Sequence, residues 1–152
     1  MNDPMHGVFR GFDIAASGLR AELQRSEIVA ANLGNMQRTG NAQKPPYRRK
    51  SVLFEEAMER AQSLRGVPGG ELVSGGVKVG QVVEDHVSPF PRFHSPGHAD
   101  ADADGWVWGS NVDLFQELVD LSVIERSFEA NLAAMRTYRT MLQSTLTNMT
   151  RA

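Results

Sequence analysis

The chain of 152 residues contains no cysteine. That removes disulfide bridges, thiolate metal sites and cysteine nucleophiles in one step. No run of about eighteen apolar residues occurs, so no direct membrane insertion is expected. The first ten residues lack a charged start followed by an apolar stretch, which argues against a secretory signal of the Sec type. Charge of one sign is also scarce. The net is only −2, with no dominant basic patch, and this speaks against a nucleic-acid partner. A serine nucleophile elbow and a Gly-rich phosphate loop are both missing, so nothing points to an enzyme.

What the chain does contain is an apolar ladder near its end. Leu114, Leu121, Phe128, Met135, Leu142 and Met149 recur every seven residues. A second file, four residues on, reads Leu118, Glu125, Leu132, Arg139 and Leu146, so two of its five members are charged. Such a period predicts a long helix made to lie along another helix. Neither proline nor glycine interrupts residues 111–152, and the helix could span ~63 Å at about 1.5 Å per residue. That exceeds a compact globule of this size, whose radius of gyration would be ~15 Å, so an elongated shape is expected.

An internal partner is available. Phe12, Ala16, Leu19, Leu23, Ala30 and Leu33 share one helical frame between Val8 and Met36, with Ser26 as its polar exception. Gly11, Gly18 and Gly34 weaken this helix by ~1 kcal/mol each but allow close approach of a neighbour. Gly40, Pro45 and Pro46 should end it. Residues 1–65 hold ten Lys/Arg against seven Asp/Glu, and residues 66–152 hold six against eleven. The two ends should therefore attract weakly.

The middle is of another kind. Tyr47 to Phe54 alternates unevenly like a strand, whereas Phe54, Met58, Ala61 and Leu64 have helical spacing, and the pattern leaves this segment open. Gly66 to Gly70 reads as a loop. Gly75-Gly76 followed by Val77, Val79, Val82 and Val83 reads as a strand after a tight turn. His86 to Gly105 should be mostly loop, Trp106 to Trp108 a short strand, and Ser110 or Asn111 the cap of the last helix. The predicted fold is mainly α with a small β-rich insert. Its N- and C-terminal helices (residues 1–40 and 111–152) pair as an antiparallel coiled coil around a middle segment, 41–110.

Metal chemistry has one candidate stretch. Asp100, Asp102, Asp104 and Gly105 match the start of a calcium loop, but Asn111 stands where a bidentate glutamate is needed and no helix precedes it. His94 and His98 would need a helix to act as a zinc pair, and Pro96 and Gly97 break one. A solvated acidic turn is the expectation, with no metal or other cofactor. A metal-binding module or a soluble coiled-coil adaptor is the alternative reading of the whole chain. Tyr47-Arg48-Arg49-Lys50 reads as a solvated strand edge.

The stretch Ala31-Asn32-Leu33-Gly34-Asn35-Met36-Gln37-Arg38-Thr39 resembles the A-N-x-A-N-x-x-T signature of bacterial flagellar axial proteins, the rod, hook and hook-associated subunits. Pro46-Tyr47-Arg48, Gly75-Gly76-Val77-Lys78-Val79, Ser95 to Gly105, Asn111-Val112-Asp113 and Arg126 to Asn131 resemble the proximal rod members of that family. Gly34 stands where alanine is usual there, Ala99 and Ser110 where proline is, and Trp106 and Phe128 where tyrosine is. The resemblance implies a structural subunit of the rod within the periplasm-spanning basal body, exported by the flagellar type III apparatus without a cleaved signal. Its implied partners are other proximal and distal rod subunits, the rod-to-ring adaptor and the membrane ring. Phe12, Leu19, Leu23 and Leu33, with the terminal ladder, would then pack between subunits. Asn32, Asn35, Thr39, Glu125, Asn131 and Arg139 become candidates for polar contacts that set register, against the alternative of plain helix-surface polarity. Residues 57–73 would form a variable surface loop.

Overall fold

The computed structural model describes residues 4–60 and 72–151. Leu64, the expected 66–70 loop and most of the 57–73 variable segment lie outside them. The elements run α1 (Pro4–Asn35), β1 (Thr39–Gly40), β2 (Lys50–Arg60), β3 (Leu72–Glu84), β4 (Arg92–His94), β5 (Trp106–Gly109) and α2 (Leu114–Arg151). About half the chain is helical, in two helices of 32 and 38 residues.

The strands are not a small insert. β2 and β3 are 11 and 13 residues long and form a two-stranded sheet, while β1, β5 and β4 form a second, three-stranded one. The helical spacing of Phe54 and Met58 loses to this pairing, and the segment through Arg60 is strand. Gly75 and Gly76 lie within β3 rather than in a turn before it. Gly76 holds φ +108°, a conformation that glycine alone adopts without strain.

The fold divides into two compact units. The first comprises Met1–Leu23, Phe54–Gly80 and Glu125–Ala152. In it the helices meet through small residues. A methyl group on Gly11 would run into the Tyr138 ring, and one on Gly18 would sit 2.8 Å from the Asn131 amide nitrogen. Since 11 to 18 meets 138 to 131, the two segments run in opposite directions. Ala15 and Ala21 are buried. β3 covers one flank of α1: Ser17 Oγ accepts the Val77 amide hydrogen at 3.0 Å and donates to Ile14 O at 2.7 Å.

The second unit comprises Gln24–Leu53 and Gln81–Ile124. In its sheet Arg92, Phe93 and His94 of β4 stand opposite Trp108, Val107 and Trp106 of β5, and Thr39 and Gly40 of β1 pair with Gly109 and Trp108. Val107, Val29 and Ile124 form its apolar core. Arg48 over Phe90 (4.2 Å) and Arg92 over Trp108 (4.7 Å) cover the stacked Phe90–Trp108 pair. The cap of α2 is Asp113, whose Oδ1 accepts the Phe115 and Gln116 amide hydrogens at 2.7 and 3.3 Å. Ser110 and Asn111 do not cap it. Asn111 Oδ1 is engaged by the Arg49 amide, and Ser110 Oγ accepts only the Val112 amide in the turn before the helix.

Candidate functional site

Two features stand out from the residues upward. The first is a buried polar cluster in the second unit. Asn32, near the C-terminal end of α1, is fully enclosed. Its Nδ2 donates to Lys50 O at 2.8 Å and Glu117 Oε2 at 3.1 Å, and its Oδ1 accepts from Lys50 N and Tyr47 Oη, both at 3.0 Å. All four hydrogen-bonding sites of the amide are thus filled. Glu117 is equally enclosed, and its charge is answered by Arg49 Nε at 2.5 Å. Asp120 bridges Arg49 (2.8 Å) and Arg25 (3.2 Å). One point therefore ties both helices to the start of β2. Burial, with Glu117 and Glu84 nearby, raises the Tyr47 phenol above its ordinary value.

The second feature is the face that the first unit leaves open. Phe12 and Leu19 each follow a seam glycine by one residue, about 100° round the helix. They therefore lie on the flank opposite Ser17, which β3 covers. Leu132 and Arg139 likewise follow Asn131 and Tyr138. Because the helices run oppositely, these flanks share one side of the pair. Phe128 (40% exposed), Leu146 (51%) and Met149 (66%) extend that side. Met135, Leu142 and Leu132 are half-buried there, as are Phe12 and Leu19. Leu23 is 56% exposed.

The expected stripes are thus half-buried in part and exposed in part. In α2 the file that faces α1 is three residues on from Leu114, not four: Glu117 and Ile124 are buried in the second unit, and Asn131 and Tyr138 meet glycines in the first. Leu118 is exposed, as are Leu114, Glu125 and Arg139, while Leu121 and Leu33 are half-buried. Asn35 bonds locally to Ala31 O at 2.7 Å. Thr39 Oγ1 donates to Asp100 Oδ2 at 2.5 Å. Glu117, Asp120 and Arg25 escaped the sequence reading, and Tyr47 and Arg49 read there as part of a solvated strand edge. The signal available for Glu117 was its place in the heptad three residues after Leu114.

Around the acidic turn, Asp102 Oδ1 accepts the Asp104 and Trp106 amide hydrogens at 3.0 and 2.8 Å. Gly105 closes that turn with φ +79°. No group of three metal-ligating side chains occurs among the described residues. The two histidines stand apart in use: His98 Nδ1 accepts the Asp100 amide hydrogen, and His94 packs edge-on to Trp106.

Residues 103–149 match the family model for the flagellar basal body rod FlgEFG protein C-terminal region. The chain is 37% identical over 144 residues to the flagellar basal-body rod protein FlgC of Bacillus subtilis (strain 168), covering 91% of this chain and 95% of the relative. It is 37% identical to FlgC of Escherichia coli O6:H1 and 36% to FlgC of Salmonella typhimurium, each over 90% of this chain and 93% of the relative. Two paired helices, at this level of identity and coverage, lead to one assignment: the chain belongs to the FlgC family of flagellar basal-body rod proteins, which are structural subunits and not enzymes.

Proposed function

We propose that this subunit builds the proximal part of the rod, with α1 and α2 paired as an antiparallel coiled coil and torque carried by packing between neighbours. Positions 11, 18, 25 and 32 of α1 recur at seven residues. Of these, 11, 18 and 32 meet Tyr138, Asn131 and Glu117 of α2, which stand at multiples of seven from one another, the period that a coiled coil requires. The observation that carries the reading is the inverted use of residue size. Small and polar side chains occupy the seam, while Phe128, Leu146 and Met149 stay open. Burying each such side chain contributes ~1.5–3 kcal/mol before ordering costs. A monomer gains nothing from leaving such a face exposed, and an assembled rod does.

Its partners in this reading are other rod subunits, proximal and distal, the rod-to-ring adaptor, the membrane ring and the type III export apparatus, with the subunit in the periplasm-spanning rod. No helix among the described residues is long and apolar enough to cross a membrane. The test is a chain carrying Phe128→Glu and Leu146→Glu. Circular dichroism should show helix content unchanged, while the chain is lost from purified basal bodies and the cells stop swimming. Normal incorporation and swimming would refute the proposal.

A further inference from the structure

Both helices of the first unit carry charge on the side pointing away from their seam. Asp13 and Arg20 follow Gly11 and Gly18 by two residues, about 200° round the helix. Glu129 and Arg136 precede Asn131 and Tyr138 by two. All four are exposed, and among the described residues none forms an ion pair within the subunit. The order is negative then positive along each helix, at a spacing of seven. Ala16 lies beside the first pair and Ala133 beside the second, each on the same outer edge.

We infer that the outer edge of α1 docks on the outer edge of α2 in a second copy of this chain, antiparallel and in the register of the internal seam. This rests on the rod reading above and names the contact that it leaves open. In that register Asp13 stands opposite Arg136, Arg20 opposite Glu129, and Ala16 opposite Ala133. The alanines let the backbones approach while the charges close over them. A slip of one heptad in either direction sets Asp13 against Glu129 or Arg20 against Arg136. Like charges then meet, so the pattern selects one axial alignment and rejects its neighbours. The contact is heterologous, since the two edges differ. Repeated from copy to copy, it closes into a ring or continues as a helical row, and both are ways to build a tube.

Charge exchange tests it in cells. Asp13→Arg or Arg136→Asp alone should lower incorporation into basal bodies about tenfold, with helix content intact, and the double exchange should restore it to within about twofold of wild type. The cysteine-free background gives a second measurement. A chain with Ala16→Cys and Ala133→Cys should form disulfide-linked multimers in oxidised basal bodies, whereas each single variant stays monomeric. The two cysteines lie on opposite outer edges of one subunit and cannot join each other. Basal bodies that contain the double-cysteine chain only as monomer, or a double exchange no better than its singles, would overturn this contact and leave the rod reading standing. Wild-type chain absent from basal bodies would overturn both.

Discussion

Asn32 is the side chain whose loss should be felt most. Replacing it by alanine removes four hydrogen bonds at once and strands the Tyr47 hydroxyl, one oxygen of Glu117 and both backbone groups of Lys50. A buried polar group left unpartnered costs ~1–3 kcal/mol. Tyr47 and Lys50 are half-buried and regain water, so Glu117 dominates and the sum is about 2–4 kcal/mol. Against a typical total of ~5–15 kcal/mol that is a large share. Urea unfolding followed by tryptophan fluorescence is the natural assay, because Trp106 and Trp108 lie in the same unit as Asn32. With a slope near 2 kcal/mol per molar, the midpoint should fall by about 1–2 M. Asn32→Asp should fall further. It keeps the shape but sets a second carboxylate against Glu117, which Nδ2 now reaches at 3.1 Å. A midpoint within about 0.25 M of wild type for alanine, or an aspartate variant milder than alanine, would show that the cluster does not hold this unit together.

The same substitution at two glycines of α1 should act in opposite directions. Gly34→Ala meets nothing within 4 Å and should stabilise the chain by about 0.5–1 kcal/mol through helix propensity alone. Gly11→Ala drives a methyl group into the Tyr138 ring, and overpacking of ~1–3 kcal/mol outweighs that gain. Thermal melts of the two variants that moved the same way would contradict the seam. Tyr47 makes stability depend on pH at the alkaline end. Its folded pKa is raised above the ordinary 10.0 by burial, then by Glu117 and Glu84. The neutral phenol therefore stabilises the fold fully below pH 10, and that contribution is lost as pH rises through the folded value. Tyr47→Phe should be less stable than wild type at neutral pH, having lost the bond to Asn32, and flatter above pH 10. An unchanged alkaline limb in denaturant titrations at stepped pH would remove Tyr47 as its source.

Much of this architecture could be read in advance, because long periodic segments declare themselves. Both helices and the β5 strand were accessible from pattern, whereas Asn32 was a candidate for a polar contact beside the alternative of surface polarity. What escaped depended on partners far away in sequence. Phe54 and Met58 have helical spacing, and only pairing with β3 makes their segment a strand, as context overrides propensity. Arg49 looked like an edge cation because its partners, Glu117 and Asp120, lie 68 and 71 residues away. Counting four residues on from Leu114 passed over Glu117. A carboxylate in a helix core looks like a flaw until its guanidinium partner is known.

The apolar ladder announced the helix Leu114–Arg151 but not its partner. Periodicity reports that a face will be buried, but not whether the same chain or another buries it. Here α1 spends its close approach on Gly11, Ala15 and Gly18, which contribute little apolar area but bring the backbones together. That leaves the larger side chains of both helices on the side opposite β3. A seam built this way is weak in hydrophobic terms and specific in polar ones, with Asn32, Glu117 and Arg49 fixing alignment in one unit and glycines meeting Tyr138 and Asn131 in the other. In the assembly proposed above, the apolar area that the monomer leaves open would be the area available at each subunit contact.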